Sequence, residues 1–128
     1  MPGNRFCDQT AIAGIGWTEF TKNSGTTVLN LAAKASLAAI DDAGLSVRDI
    51  DGVVTYYWNP DTINPQQLIQ ALGMRVCHYE AYAQLGGEWC CGAVASTAMA
   101  VHAGLCENVP ATWAVSSPRR AWSCPGSS

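Results

Sequence analysis

Two adjacent cysteines, Cys90 and Cys91, follow the glycine pair Gly86 and Gly87 in AQLGGEWCCGAVASTAMAVHAG, residues 83–104, a stretch with almost no charge. A helix beginning near Glu88 places both thiols in its first turn, where unpaired backbone amides and the macrodipole favour thiolate. That is a setting for a cysteine nucleophile. A nucleophile also needs a base to receive its proton and donors for the developing oxyanion. Only two histidines are present, His78 and His102, and His102 falls about three turns further along the same helix. Cys90 and Cys91 are therefore read as either nucleophilic or packing thiols, and packing is the reading with fewer missing parts.

Cys77, His78, Cys90 and Cys91 are the one combination of soft ligands close enough in sequence to suggest a metal. Adjacent residues lack the spacer of two to four that lets two ligands converge on one zinc, and Cys77 and His78 point to opposite faces of a strand. No metal is expected. Gly14-x-Gly16 follows an apolar run, but Glu19 stands where a dinucleotide fingerprint has its third glycine. The next helix also begins about ten residues too late to hold a pyrophosphate. A turn leaving a strand is the reading there, and no cofactor is expected.

These residues need elements to hold them. TAIAGIG, residues 10–16, reads as a buried strand. From Thr27, the positions Val28, Leu31, Ala32, Ala35, Ala38 and Ala39 recur at helical spacing until Gly44. Ser46 and Asp49 suit a one-turn helix, and GVVTYY, residues 52–57, is a strand by its β-branched and aromatic content. NPQQLIQALG, residues 64–73, has Asn64 as cap, Pro65 at the first helical position, Gln67 reaching back and Gly73 as terminator. RVCHYEAY, residues 75–82, reads as a third strand. Residues 88–103 read as a third helix that, lacking a polar face, should be buried on every side. Strands alternating with helices imply an α/β fold with parallel pairing and helices covering the sheet.

The bulk numbers bound the function. With 128 residues, 48% of them hydrophobic, there is material for one core and not two. A net charge of -3 without a basic run disfavours nucleic acid or an anionic membrane as partner, and no apolar segment is long enough to span a bilayer. No leader pattern is visible, so a cytoplasmic protein is expected. The six cysteines are irregularly spaced without a Cys-x-x-Cys pair, which favours reduced thiols over a disulfide framework.

AIAGIGWTEFTKNSG, LNLAAKASLAAIDDAGLSVRDIDGVVT and GGEWCCGAVASTAMAVHAG, in that order, resemble the first part of the thiolase superfamily. The likeness is to lipid-transfer proteins of the sterol carrier protein X type and to thiolase-like CoA-ester aldolases, and it covers about residues 8–109. It implies a thiolase-like N-terminal half-domain, βαβαβα with a buried third helix. It further implies a homodimer, an OB-fold partner subunit, an acyl-CoA thioester as substrate, and a peroxisomal location in a eukaryote. In thiolases a cysteine at the start of the third helix, within Cys-x-Ser/Thr-Gly, attacks the acyl-CoA. That motif is absent here. Family spacing counted back from Gly104 puts the nucleophile position at Gly87, which makes Gly86 and Gly87 the expected substrate-binding loop. Glycine at that position is like the aldolase relatives, which cleave a carbon–carbon bond with proton-transfer groups from their C-terminal half. No catalytic residue is then expected among these residues, Cys90 and Cys91 standing as the alternative of an acyltransferase. A non-enzymatic docking or dimerisation module is the other alternative.

The composition changes at Pro110. Residues 110–128 have three prolines, five serines, two tryptophans and no acid, and Pro110 falls where an alternating pattern calls for another strand. Residues 110–128 are therefore expected to lie outside the fold, as in a truncated or frame-disrupted product that is inactive alone and marginally stable.

Overall fold

The computed structural model describes residues 7–21, 24–57, 62–84 and 89–115. Among them the elements run α1 (Val28–Asp42), a 3-10 turn (Val47–Asp49), β1 (Gly52–Tyr57), α2 (Pro65–Leu72), β2 (Tyr79–Gln84), α3 (Trp89–His102) and β3 (Ala111–Thr112). The strands form one parallel sheet in the order β2-β1-β3, with Gly52 opposite Tyr79 and Val54 opposite Ala111. This is an α/β architecture.

Local chemistry explains the helices. Thr27 Oγ1 accepts from Asn30 N at 3.2 Å to start α1. For α2, Asn64 Oδ1 accepts from Gln67 N at 2.8 Å and Gln67 Oε1 accepts from Asn64 N at 3.1 Å, while Pro65 presets the first turn. Gly73 then takes φ 69°, the left-handed stop that other residues resist. At the 3-10 turn the Asp49 carboxylate accepts from both Ser46 N and Ser46 Oγ, at 2.8 and 2.7 Å.

β1 is buried on both faces, as a central parallel strand must be. Val53 joins Ala32, Ile63, Leu68 and Leu72 on the α1 and α2 side, whereas Val54 and Tyr56 join Ala83 and Ala93 on the α3 side. Asp51 fastens the start of β1 to the chain after α3, its carboxylate accepting from Glu107 N and Asn108 N at 2.9 Å.

The structure departs from the sequence pattern in four places. Residues 10–16 are not a strand: they cross α1 as irregular chain, with Ile15 N donating to Asp42 Oδ2 at 2.9 Å. A Cβ at Gly14 would stand 2.3 Å from Ala39 O and one at Gly16 would stand 2.2 Å from Ala35 O, so these glycines permit contact with the helix rather than a turn. Nor is this segment buried. Ile12, Ile15, Trp17 and Phe20 are 73%, 65%, 70% and 97% exposed.

The third helix is not buried on every side either. Ala93 and Ala100 face the sheet, while Cys90, Cys91, Val94 and Met99 are exposed, because the sheet covers only one face of α3. β2 begins at Tyr79 rather than Arg75. Past Pro110 the chain still makes β3, so Ala111 and Thr112 are part of the sheet.

Candidate functional site

β2 ends at Gln84 and α3 begins at Trp89, so the junction between them sits at the carboxyl end of the parallel sheet, the end where α/β folds place ligands. Cys90 and Cys91 occupy the first turn of α3 there, both exposed. Gly86 and Gly87 lie outside the described residues.

The histidines are at the other end. His78 immediately precedes β2 and its backbone N–H donates to Asp51 O, while His102 is the last residue of α3. At about 1.5 Å per residue, His102 is roughly 16 Å along the helix axis from Cys91. A six-residue strand separates His78 from the same junction by a comparable length. Neither imidazole can take a proton directly from Cys90 or Cys91, since that requires hydrogen-bond contact or one bridging water. Among the described residues no group of three His, Cys, Asp or Glu side chains is placed to hold a metal ion.

Gly14 and Gly16 are not placed at the start of a helix. They abut α1 between Ala35 and Ala43, well past its N-terminus, where no free amides await a phosphate.

A cavity of about 640 Å³ opens between residues 9–16, α1, α3 and the chain from Glu107 to Trp113. Its walls are mostly apolar, with Thr10, Ser36, Thr97 and Thr112 among the lining residues. Neither Cys90 nor Cys91 lines it. It can enclose an apolar body and brings neither thiol to one.

At the foot of β1 the structure assembles a group that sequence spacing does not announce. Cys77 and Cys106 flank Asp51 and Gly52. Burial raises the pKa of both thiols above the ordinary 9.0, and the carboxylates of Glu80 and Asp51 for Cys77, and Asp51 for Cys106, push the same way. Both are held as protonated thiols at neutral pH.

No family model matches the chain. Over 99 residues it is 46% identical to a steroid side-chain-cleaving aldolase of Thermomonospora curvata, covering 77% of this chain and 25% of that protein. Over 103 residues it is 42% identical to the 17-hydroxy-3-oxo-4-pregnene-20-carboxyl-CoA lyase of Mycobacterium tuberculosis, covering 80% of this chain and 26% of that one. Among solved structures, the Ltp2-ChsH2(DUF35) aldolase superposes with a TM-score of 0.79 at 40% identity, over 91% of this chain and 30% of that chain. A monomeric SCP2-thiolase-like protein of Mycobacterium smegmatis superposes with a TM-score of 0.62 over 80% of this chain and 22% of that chain. At 22% identity it shows the fold alone. The chain spans about a quarter of the length of the curated relatives it matches.

Proposed function

We infer that this chain, whose sequence and fold match the thiolase-like CoA-ester aldolases and lipid-transfer proteins, serves carbon–carbon bond cleavage in a β-hydroxyacyl-CoA ester, with a steroid side chain as the substrate class. The observation that carries this is the 46% identity to a steroid side-chain-cleaving aldolase across 77% of the chain. In retro-aldol cleavage a base takes the hydroxyl proton, the carbon–carbon bond breaks, and its electrons pass into a thioester enolate that is then protonated. A thiol has no part in those steps. Cys90 and Cys91, without a histidine at their end of the layer among the described residues, fit that chemistry better than acyl transfer. The described residues act as scaffold, with the Gly86–Gly87 loop beside the bound thioester and the reacting groups supplied from outside this segment.

Two subunits of this protein and an OB-fold partner complete the assembly in this reading. The Ltp2-ChsH2(DUF35) aldolase, 40% identical to this chain, joins two named components, and that pairing supports the presence of a partner subunit. Among the described residues no helix is long and apolar enough to cross a membrane, and we place the assembly in the cytoplasm.

The test is an assay of the natively produced protein, its polypeptide identified by intact mass, with a steroid β-hydroxyacyl-CoA and the partner subunit. Release of a carbonyl product and a shortened acyl-CoA is expected, and the Cys90→Ala, Cys91→Ala double variant should retain it. A covalent acyl group trapped on Cys90 or Cys91 by an acyl-CoA mimic would instead establish the acyltransferase reading. Co-purification with the partner and no turnover would establish a docking module.

A further inference from the structure

The cavity of about 640 Å³ continues the plane of the sheet. α1 and α3 cover opposite faces of β1, with Val53 packed on the α1 and α2 side and Val54 on the α3 side. Ala35 and Ala39 of α1 and Val94 and Ala98 of α3 all line this one cavity, so it sits between the two helical layers, level with the strands. Its remaining walls are residues 9–16 and the chain that forms β3, the last strand of the sheet on that side. The cavity is therefore a slot with a helix on each face and a run of chain along each edge.

Both edges carry unpaired backbone. Pro110 O accepts from Val54 N at 3.0 Å, so the N–H and C=O of Ala111, next along β3, turn away from β1 and toward the slot. On the opposite edge, Ile15 N is the one backbone group of residues 10–16 that has a hydrogen-bond partner among the described residues, and that partner is Asp42 on α1. Neither edge bonds across the slot to the other.

We propose that this slot accepts, in trans, an extended strand from a separate polypeptide, which pairs with Ala111 along the free edge of β3 and places its side chains between α1 and α3. An unpaired strand edge is a template for such pairing, and recognition is then by strand addition. The apolar walls on both faces require an occupant that is apolar on both faces, free of proline and charge, and roughly five to six residues long. Residues 116–128 do not fit, since Pro118, Arg119, Arg120 and Pro125 interrupt every stretch of that length. The occupant is instead a segment of aldolase sequence beyond the matched part, which is about a quarter of each curated relative. This rests on the match to those relatives and on the walls of the slot, and not on the reaction.

The test adds short overlapping synthetic peptides, covering the unmatched part of the Thermomonospora curvata aldolase, to the folded wild-type chain and reads hydrogen exchange. Neighbouring peptides that share one apolar, proline-free core should bind, and protection should rise in residues 9–16 and 107–113 together. Ala111→Pro removes the β3 donor that faces the slot and no bond to β1, while Ala98→Asp puts a charge on the α3 wall. Each should abolish the gain in protection, with the amides of α2 protected as in the wild type to show that the fold is intact. The proposal is overturned if no peptide raises protection on both edges of the slot, if the protected site is the outer edge of β2, or if binding survives both variants. None of these outcomes bears on retro-aldol turnover, and a lack of turnover would leave the peptide binding unchanged.

Discussion

Ser36 Oγ and Thr112 Oγ1 lie 2.7 Å apart in the buried interior, joining the middle of α1 to β3 across 76 residues of sequence. A hydroxyl pair removed from water must satisfy itself, so the bond fixes β3 against α1 more firmly than a two-residue ladder could. Ser36→Ala leaves the Thr112 hydroxyl without its partner and should cost about 1–3 kcal/mol. Thr112→Val should cost less, because a helical serine can turn its hydroxyl to the carbonyl one turn back. In the double variant both hydroxyls are gone, and its loss should fall clearly below the sum of the two. Urea unfolding of the four proteins measures this cycle, and strict additivity would show that the contact carries no coupling energy.

Thr55 is the register neighbour of Thr112 and is fully buried, yet its Oγ1 has no hydrogen-bond partner among the described residues. Its hydroxyl has been desolvated without compensation. Thr55→Val keeps the shape and removes that group, so a gain of about 1 kcal/mol in unfolding free energy is expected. A loss of similar size would mean that the hydroxyl is satisfied by a bound water.

Gly16 and Gly14 allow residues 10–16 to lie directly on the backbone of α1. Gly16→Ala would bring a methyl group 2.2 Å from Ala35 O and 2.4 Å from Ala39 N, neither of which can yield without bending the helix. We expect about 1–3 kcal/mol of destabilisation, or release of the segment. Hydrogen exchange separates these outcomes: release exposes the Ile15 amide, now bonded to Asp42 Oδ2, while α1 amides stay protected. Unchanged exchange and stability would show that the segment does not rest on α1.

What could be read from the sequence was what neighbouring residues decide. The cap, proline and terminal glycine of α2 act within one helix, and the strand at 52–57 announces itself by its β-branched residues. Residues 10–16 misled because apolar content reports a preference for extension or burial but not the availability of a neighbouring strand, and Gly14 and Gly16 find a helix instead. α3 misled for a related reason: its lack of a polar face states what the helix tolerates, while Ala93 and Ala100 alone are buried along it among the described side chains. The reading of Cys90 and Cys91 as packing thiols fails with it, both being exposed, and the absence of a histidine beside them required knowing where His78 and His102 come to rest. Cys77 and Cys106 belong to different connections, so only the pairing of Gly52 with Tyr79 and the reach of Asp51 show that both lie near that aspartate.

The same two thiols set an alkaline limit on stability. In the unfolded chain they lose protons near the ordinary value of 9.0, whereas burial holds them protonated to higher pH in the folded protein. Between those values the unfolded state binds fewer protons, so stability must fall as pH rises. It is unaffected by these groups well below 9.0 and continues to decline until the folded-state thiols themselves ionise. Urea unfolding from about pH 7 to about pH 10.5 under reducing conditions should show this decline, and Cys77→Ser should reduce its slope. A decline in Cys77→Ser and Cys106→Ser equal to that of the wild type would show that these two thiols do not cause it.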